Sequence, residues 1–225
     1  FELGLGAGWY EDEFEAFGFP FGTAGERFEI LEETLEVLRM LFRSDSAVSF
    51  QGERFELHDA QLRPKPASAV PLWVGAKGGP RSLRLAARLA DGWNTVWRWT
   101  PEAYAERVAA ARRICEEEGR DPATLRLSLG LSTLVGEDRA DLARRYERFR
   151  AGSPGGGLDD VPLEEFAKDT LTGTPEEIRE RIAAFEELGV EELIVNPGPI
   201  PFAMPDPGIV EVFAREVIPS SAGAR

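Results

Sequence analysis

The chain has 225 residues, enough for one domain with a buried core, and its 43% hydrophobic and 29% charged residues are ordinary for a globular protein. Acidic residues outnumber basic ones by 40 to 26, so the formal net charge is −14. This charge disfavours nucleic acid and anionic membranes as partners, because both require a basic surface. No apolar run approaches the roughly 20 residues needed to span a bilayer.

The cysteine and histidine content limits the kinds of catalytic and metal site that the chain can form. Cys115 is the only cysteine, so no intrachain disulfide can form, and we expect a buried, inert thiol and a cytoplasmic location. His58 is the only histidine and has no neighbouring cysteine or second histidine. The sequence therefore predicts no metal site and excludes a mechanism that needs a His dyad within this chain.

The first quarter of the chain reads as a strand, an aromatic loop, a helix and a hairpin. Phe1 to Gly6 is strand-like and runs into Gly8 and Trp9, and Glu26 to Phe42 repeats apolar residues at helical spacing. A hairpin is predicted around Gln51 and Gly52. Between strand and helix, we interpret an aromatic cluster as core, with a cofactor pocket as the alternative. Its members are Phe14, Phe17, Phe19 and Phe21.

The stretch PLWVGAKGGPRSLRLAARLADGWN, residues 71–94, packs a strand, a glycine turn and a helix into one unit. A strand from Leu72 to Gly75 feeds the turn, and Pro80 opens the helix. Backbone N–H groups and the helix dipole then converge on one spot that suits a phosphate. A tight connection without a ligand is the alternative. The candidate binding residues of this turn are Gly75, Ala76, Lys77, Gly78, Gly79 and Arg81.

The remaining chain repeats the strand–helix alternation. Asn94 lies near the end of the next strand, Gly92 to Val96, and faces either a bound ring system or the core. The capping box Thr174-Pro-Glu-Glu177 marks a helix start. Further strands are predicted at 125–132 and 192–195, further helices at 100–118, 138–150 and 174–188, and a proline-rich loop with a short helix after residue 196.

Regular alternation of strands and helices predicts an α/β fold with a parallel sheet. An open doubly wound sheet and part of a (β/α)₈ TIM barrel both satisfy it. The barrel is favoured because glycines and polar residues gather at strand carboxyl ends, and because no GxGxxG with a following acidic residue is present. We expect residues 1–225 to form a single domain holding about the last five strand–helix units of the barrel.

Four blocks together resemble the bacterial luciferase-like monooxygenase superfamily. They are GLGAGWYEDEFEAFG, FxGERFELxxAQLRPKP, PLWVGAKGGPRSLRLAARLADGWN and LTGTPEEIRERIAAFEELGVEELIV, in that order and spacing. The resemblance is greatest to the branch that uses the deazaflavin coenzyme F420 or FMN. It implies a (β/α)₈ barrel with flavin at the strand carboxyl ends, and it implies that Phe1 begins at the family's fourth strand, the first three units being absent.

The resemblance also assigns roles to particular residues. The turn from Gly75 to Gly79 matches the family's phosphate-binding turn, and the segment Gly6, Ala7, Gly8 and Trp9 matches the segment that lies along the cofactor. Luciferase-type members often have arginine at the position of Ala7, and the sugar-phosphate dehydrogenase branch has a catalytic glutamate at the position of Trp9. These two departures argue against light emission and against the sugar-phosphate dehydrogenase activity. The resemblance assigns no catalytic residue.

These observations lead to one leading hypothesis for the function and to several alternatives. The leading function is hydride transfer between F420 and an organic substrate, by a cytoplasmic protein whose partners are a small molecule and a second copy in a homodimer. The alternatives are an FMN-dependent monooxygenase of the same superfamily, and an inactive incomplete member that serves only as a binding or structural piece. An aldolase- or isomerase-type barrel is less favoured, because Lys77 is the only strand-end lysine.

Overall fold

The structure, a computed structural model, describes residues 1–199 and 206–218. The chain divides into two compact units. Unit 1 comprises Phe1–Asn94 and Ala110–Arg126, and unit 2 comprises Thr95–Ala109 and Leu127–Arg225. Within the described ranges, no helix combines the length and the apolar character needed to cross a membrane.

Unit 1 contains a parallel sheet, an antiparallel hairpin and the helices that cover them. Its elements are β1 (Leu3–Leu5), α1 (Glu11–Ala16), α2 (Ala24–Arg43), β2 (Val48–Gln51), β3 (Glu56–Ala60), β4 (Leu72–Gly75), α3 (Pro80–Leu89), the first half of β5 (Gly92–Trp97) and the end of α4 (Pro101–Glu117). Strand β4 lies between β1 and β5, with Leu3 opposite Leu72 and Trp73 opposite Gly92. The strand carboxyl ends therefore meet at one edge.

Local signals set the helices of unit 1. Helix α2 begins at a capping box in which Thr23 and Glu26 exchange hydrogen bonds, and α3 begins with Pro80 at its first position. The apolar face of α3 is buried, and Val74 and Trp93 of the sheet are fully buried as well. These contacts form the core of unit 1, because the helix stripe and the sheet face exclude water together.

Unit 2 is built around a long parallel strand. Its elements are the second half of β5, the start of α4, β6 (Arg126–Val135), α5 (Arg139–Ala151), α6 (Leu163–Ala167), β7 (Leu171–Gly173), α7 (Pro175–Glu187), β8 (Val190–Asn196) and α8 (Pro207–Val212), which continues into a π turn (Phe213–Val217). Strand β6 pairs in parallel with β8 along most of its length and with β7 at its carboxyl end. Nine of the ten β6 residues are apolar or small, as expected for a covered strand.

The core of unit 2 is aromatic. Tyr104 and Phe185 are almost fully buried, and their rings meet edge to face with centroids 5.7 Å apart. Phe166 contacts both Tyr146 and Phe149 at 5.3 Å between centroids. Such pairs stabilise a fold beyond the area that they bury.

Most predicted elements are present, but α6 and β7 were not predicted, and three other predictions differ from the structure. Residues 11–16 form α1 where a loop was predicted, because three acidic residues in its first turn favour the helix N-terminus. The assignment of Phe17 and Phe19 to the core is wrong, since their side chains are 73% and 66% exposed. The strand predicted to end at Ser132 continues to Val135, because β7 pairs with its end. Part of the predicted proline-rich loop, 200–205, lies outside the described residues.

Candidate cofactor site

Two glycines, Gly6 and Gly75, lie at the carboxyl ends of the neighbouring strands β1 and β4 in unit 1. Gly75 is the last residue of β4 and pairs with Asn94 of β5, while Gly6 directly follows β1. A Cβ placed on Gly6 would lie 3.0 Å from the Gly75 carbonyl oxygen, and one on Gly75 would lie 3.6 Å from the Leu5 carbonyl oxygen. The β1 and β4 backbones are therefore close together at Gly6, where a side chain would be tightly packed. They form a floor on which a flat ring can lie.

The turn that follows β4 is held by hydrogen bonds to β5. The backbone N–H of Ala76 donates to the Asn94 carbonyl oxygen at 3.0 Å. The indole N–H of the buried Trp93 donates to the Ala76 carbonyl oxygen at 2.9 Å. Gly78 has φ +78°, a left-handed conformation that favours glycine. Lys77 is exposed at the tip of this fixed turn.

Helix α3 starts at this turn with its first N–H groups free of side-chain caps. Its N-cap is Gly79, which makes no side-chain cap, and its first turn contains no acidic residue. By contrast, α2 and α5 are capped by Thr23 and Asp138. Uncapped N–H donors and the positive end of the dipole suit an anion such as a phosphate.

Arg81 adds a cationic side chain to the first turn of α3. Its guanidinium carbon lies 5.2 Å from the centroid of the Phe28 ring, and the residue is exposed. The structure thus brings together Gly6, Gly75 and Asn94 across three neighbouring strands. It places Ala76, Lys77, Gly78, Gly79 and Arg81 in one turn and helix start.

The segment after β1 has a fixed backbone and an exposed aromatic residue. Gly8 has φ +76°, and a Cβ there would lie 2.6 Å from Cζ of Phe14, so only glycine fits. Ala7 is half-buried, whereas the Trp9 side chain is 83% exposed and contacts the Tyr10 ring at 5.4 Å between centroids. That Ala7, Gly8 and Trp9 contact a cofactor stays a prediction.

At the opposite, amino end of the unit 1 sheet, three side chains that the sequence did not indicate contact one another. The Trp73 indole N–H donates to Glu2 Oε2 at 2.7 Å, and Arg126 Nη1 donates to Glu2 Oε1 at 3.1 Å. The Arg126 guanidinium also lies 4.7 Å from the centroid of the Trp73 ring. Its hydrogen bond lowers the pKa of Glu2 below the ordinary value, since it favours the carboxylate. No local motif marks this cluster, because its members are far apart in the chain.

The remaining reactive side chains are not part of this site. Burial raises the pKa of the Cys115 thiol, which keeps it protonated and unreactive. His58 is exposed, with Nε2 3.1 Å from Glu56 Oε1. Across the part of the chain that the structure describes, no cluster of three or more His, Cys, Asp or Glu side chains is arranged to hold a metal ion.

This fold, with its glycine floor and open helix start, belongs to a known family. The profile of the luciferase-like monooxygenases matches residues 1–192, so the chain is a member of the bacterial luciferase-like family, and the resemblance noted in the sequence is confirmed. It is 26% identical to an F420-dependent glucose-6-phosphate dehydrogenase of Microbacterium testaceum, over 96% of this chain and 67% of the relative. It is 30% identical to an F420-dependent hydroxymycolic acid dehydrogenase of Mycobacterium tuberculosis, over 89% and 54% respectively.

Another relative performs different chemistry. Pyrimidine monooxygenase RutA of Escherichia coli is 30% identical over 80% of this chain and 49% of its own length. The chain therefore spans about half to two thirds of the length of these curated relatives.

Solved structures bear on the fold alone. An F420-dependent secondary alcohol dehydrogenase, solved with an F420-acetone adduct, superposes with a TM-score of 0.76 at 23% identity, covering 96% of this chain and 68% of the other. The F420-dependent tetrahydromethanopterin reductase of Methanopyrus kandleri superposes with a TM-score of 0.70 at 18% identity, covering 97% and 74%. The predicted α/β fold class of the luciferase-like barrels is confirmed.

Proposed function

We propose that this chain binds coenzyme F420 and belongs to an oxidoreductase that transfers a hydride between that cofactor and a small organic substrate. One observation carries the proposal: the floor formed by Gly6 and Gly75 leads directly into the uncapped start of α3. A flat ring with a phosphate-bearing tail needs both features together. The F420-dependent dehydrogenases among the relatives support the same cofactor.

The residues present fit such a cofactor. The turn from Gly75 to Gly79 and the first N–H groups of α3 would hold a phosphate, with Lys77 and Arg81 as cationic donors. Gly6, Ala7, Gly8 and Trp9 would border the ring, and Asn94 would contact its edge. When bound, F420 supplies a carbon that accepts or donates a hydride. The protein positions the ring and excludes water from one of its faces.

FMN is the alternative cofactor, and the RutA relative favours it. In that case the chain belongs to a monooxygenase of the same family. The glycine floor and the phosphate turn serve either ring, so the site residues are the same. An inactive member that acts only as a binding or structural piece is the remaining alternative.

The wider setting follows from the same proposal. We propose that residues 1–225 act as one luciferase-like domain in the cytoplasm, and that the protein forms a homodimer. The partner is a small molecule rather than nucleic acid, because the formal net charge of −14 repels phosphate backbones. The dimer is tested by light scattering, which would show a single-chain mass if this part of the proposal is wrong.

Fluorescence titrations of the 225-residue chain with F420 and with FMN test the proposal. Saturable binding of F420, tighter than that of FMN, is expected. The reverse order would favour the monooxygenase, and no saturable binding of either would overturn both readings.

A matched pair of substitutions at Gly79 tests the phosphate turn itself. Gly79 has the extended backbone of an N-cap, with φ −69° and ψ 158°, and an added Cβ meets nothing within 4 Å. Gly79→Asp and Gly79→Asn both cap the helix equally well, so neither should reduce stability. Only the aspartate adds a negative charge where the phosphate is expected. We expect at least about tenfold weaker F420 binding for Gly79→Asp than for Gly79→Asn, equivalent to about 1.4 kcal/mol.

A further inference from the structure

Unit 2 contains a cavity that no motif in the sequence indicated. Its volume is about 260 Å³, and it lies at the carboxyl ends of β5 and β8, which end at Trp97 and Asn196. Ser132 of β6 lines it as well and pairs with Asn196 in the strand register. Carboxyl ends of parallel strands are where α/β barrels bind small molecules. The signal available in the sequence was a polar residue at a strand end.

The cavity is lined by aromatic residues and by one arginine whose charge is neutralised by an aspartate. Phe149 and Phe166 line the cavity and contact each other at 5.3 Å between ring centroids. Arg98 is the only charged lining residue within the described part of the chain. Its Nε donates to both oxygens of Asp169, at 2.9 and 3.0 Å, and its guanidinium carbon lies 5.6 Å from the Phe166 ring centroid. The cavity therefore presents no uncompensated charge to a ligand.

Two polar side chains at the carboxyl edge are available to a ligand. Asn196 Nδ2 donates one hydrogen bond to the Gly198 carbonyl oxygen at 3.1 Å, which leaves Oδ1 and the second N–H of the amide. Among the described residues, the Ser132 hydroxyl has no hydrogen-bond partner. Together they offer a donor and an acceptor, as a hydroxyl or carbonyl group requires.

The backbone at Trp97 supports a binding role. Its φ is +85°, in the left-handed region that a bulky residue rarely occupies. Such a conformation costs on the order of 1–3 kcal/mol, and residues held in it cluster at ligand sites. Trp97 is one of the residues that line the cavity.

We propose that this cavity binds a small, uncharged organic molecule bearing a hydroxyl or carbonyl group. The volume is below the roughly 300–1,000 Å³ of sites for drug-sized ligands, so the bound part of the molecule is small. A phosphorylated sugar does not match the lining, because its charge would meet an arginine already neutralised by Asp169.

Ligand-detected NMR on the 225-residue chain without cofactor tests the proposal, with benzyl alcohol and benzoate as probes of matched shape. Saturable binding of benzyl alcohol, at least about tenfold tighter than that of benzoate, is expected. Equal or tighter binding of benzoate, or no saturable binding of benzyl alcohol, would overturn the proposal.

Two substitutions in one loop locate the binding. Ser153→Trp inserts a ring at a half-buried lining position and is expected to weaken benzyl alcohol binding at least about tenfold. Asp160→Trp, at an exposed position outside the lining, should leave it unchanged. Equal binding by both variants would place the probe elsewhere and refute the assignment. Failure here with intact F420 binding refutes only the cavity, whereas probe binding without F420 binding refutes only the proposed function.

Discussion

Gly6 and Gly4 offer a matched test of the glycine floor. They lie two residues apart, with Gly4 inside β1 and Gly6 directly after it. A Cβ on Gly6 would meet the Gly75 carbonyl oxygen at 3.0 Å, whereas one on Gly4 would meet nothing within 4 Å. Replacing glycine by alanine where the backbone is compatible stabilises by about 0.4–1 kcal/mol through the entropy of the unfolded chain, and overpacking costs about 1–3 kcal/mol. The glycine term cancels between the two variants. We expect Gly6→Ala to be less stable than Gly4→Ala by about 1–3 kcal/mol.

Urea unfolding measures this difference, and an F420 titration measures its effect on the site. The methyl group of Gly6→Ala would stand on the surface proposed for the ring, so we expect about tenfold weaker binding, or about 1.4 kcal/mol. Gly4→Ala should bind F420 as the unmodified chain does. Equal stability of the two variants would show that the β1–β4 contact is not as close as described. Equal binding would show that the ring does not lie over Gly6.

Three further predictions concern stability. Glu33 accepts hydrogen bonds from three backbone N–H groups of the β2–β3 turn, and although desolvation raises its pKa, these bonds hold it below the ordinary value. Its stabilising effect is therefore present above the unfolded pKa and lost as pH falls, so Glu33→Gln should flatten the acid-side loss of stability in a pH series. Phe185→Ala, at 1% exposure, should cost about 3–5 kcal/mol in urea unfolding, while Phe17→Ala should change stability by less than about 0.5 kcal/mol. Arg120 donates to three carbonyl oxygens at the end of α3, so Arg120→Met should cost about 1–3 kcal/mol, whereas Arg113→Met, at an exposed ion pair, should cost less than about 1 kcal/mol.

Each of these predictions has a clear contrary outcome. An unchanged pH profile for the Glu33 variant would mean that the turn does not depend on the carboxylate. Equal losses for the two phenylalanine variants would contradict the burial described here. Equal effects of the two arginine variants would show that the carbonyl contacts at the end of α3 contribute no more than a surface charge pair.

Helix starts and the parallel sheet can be predicted from residues that lie close together in the chain. The capping box at Thr174 and Glu177, and Pro80 after a run of glycines, act within a few residues, so they predict helix starts without knowledge of the fold. Alternating strand and helix patterns predict a parallel α/β sheet. Apolar residues throughout a strand indicate that helices cover both of its faces. The turn from Gly75 to Gly79 was found in this way, since its glycines and its helix are contiguous in the chain.

Contacts between residues that are distant in the chain could not be predicted in this way. The closeness of Gly6 to Gly75, and the pairing of Ser132 with Asn196, depend on strand order and register. Strands covered on both faces lack the alternation of apolar and polar residues that would specify their register. The sequence predicted a buried Phe17, but the residue is exposed. The composition of an aromatic cluster does not show whether other elements cover it. The glycine floor and the unit 2 cavity are both properties of register, and for that reason only the folded chain reveals them.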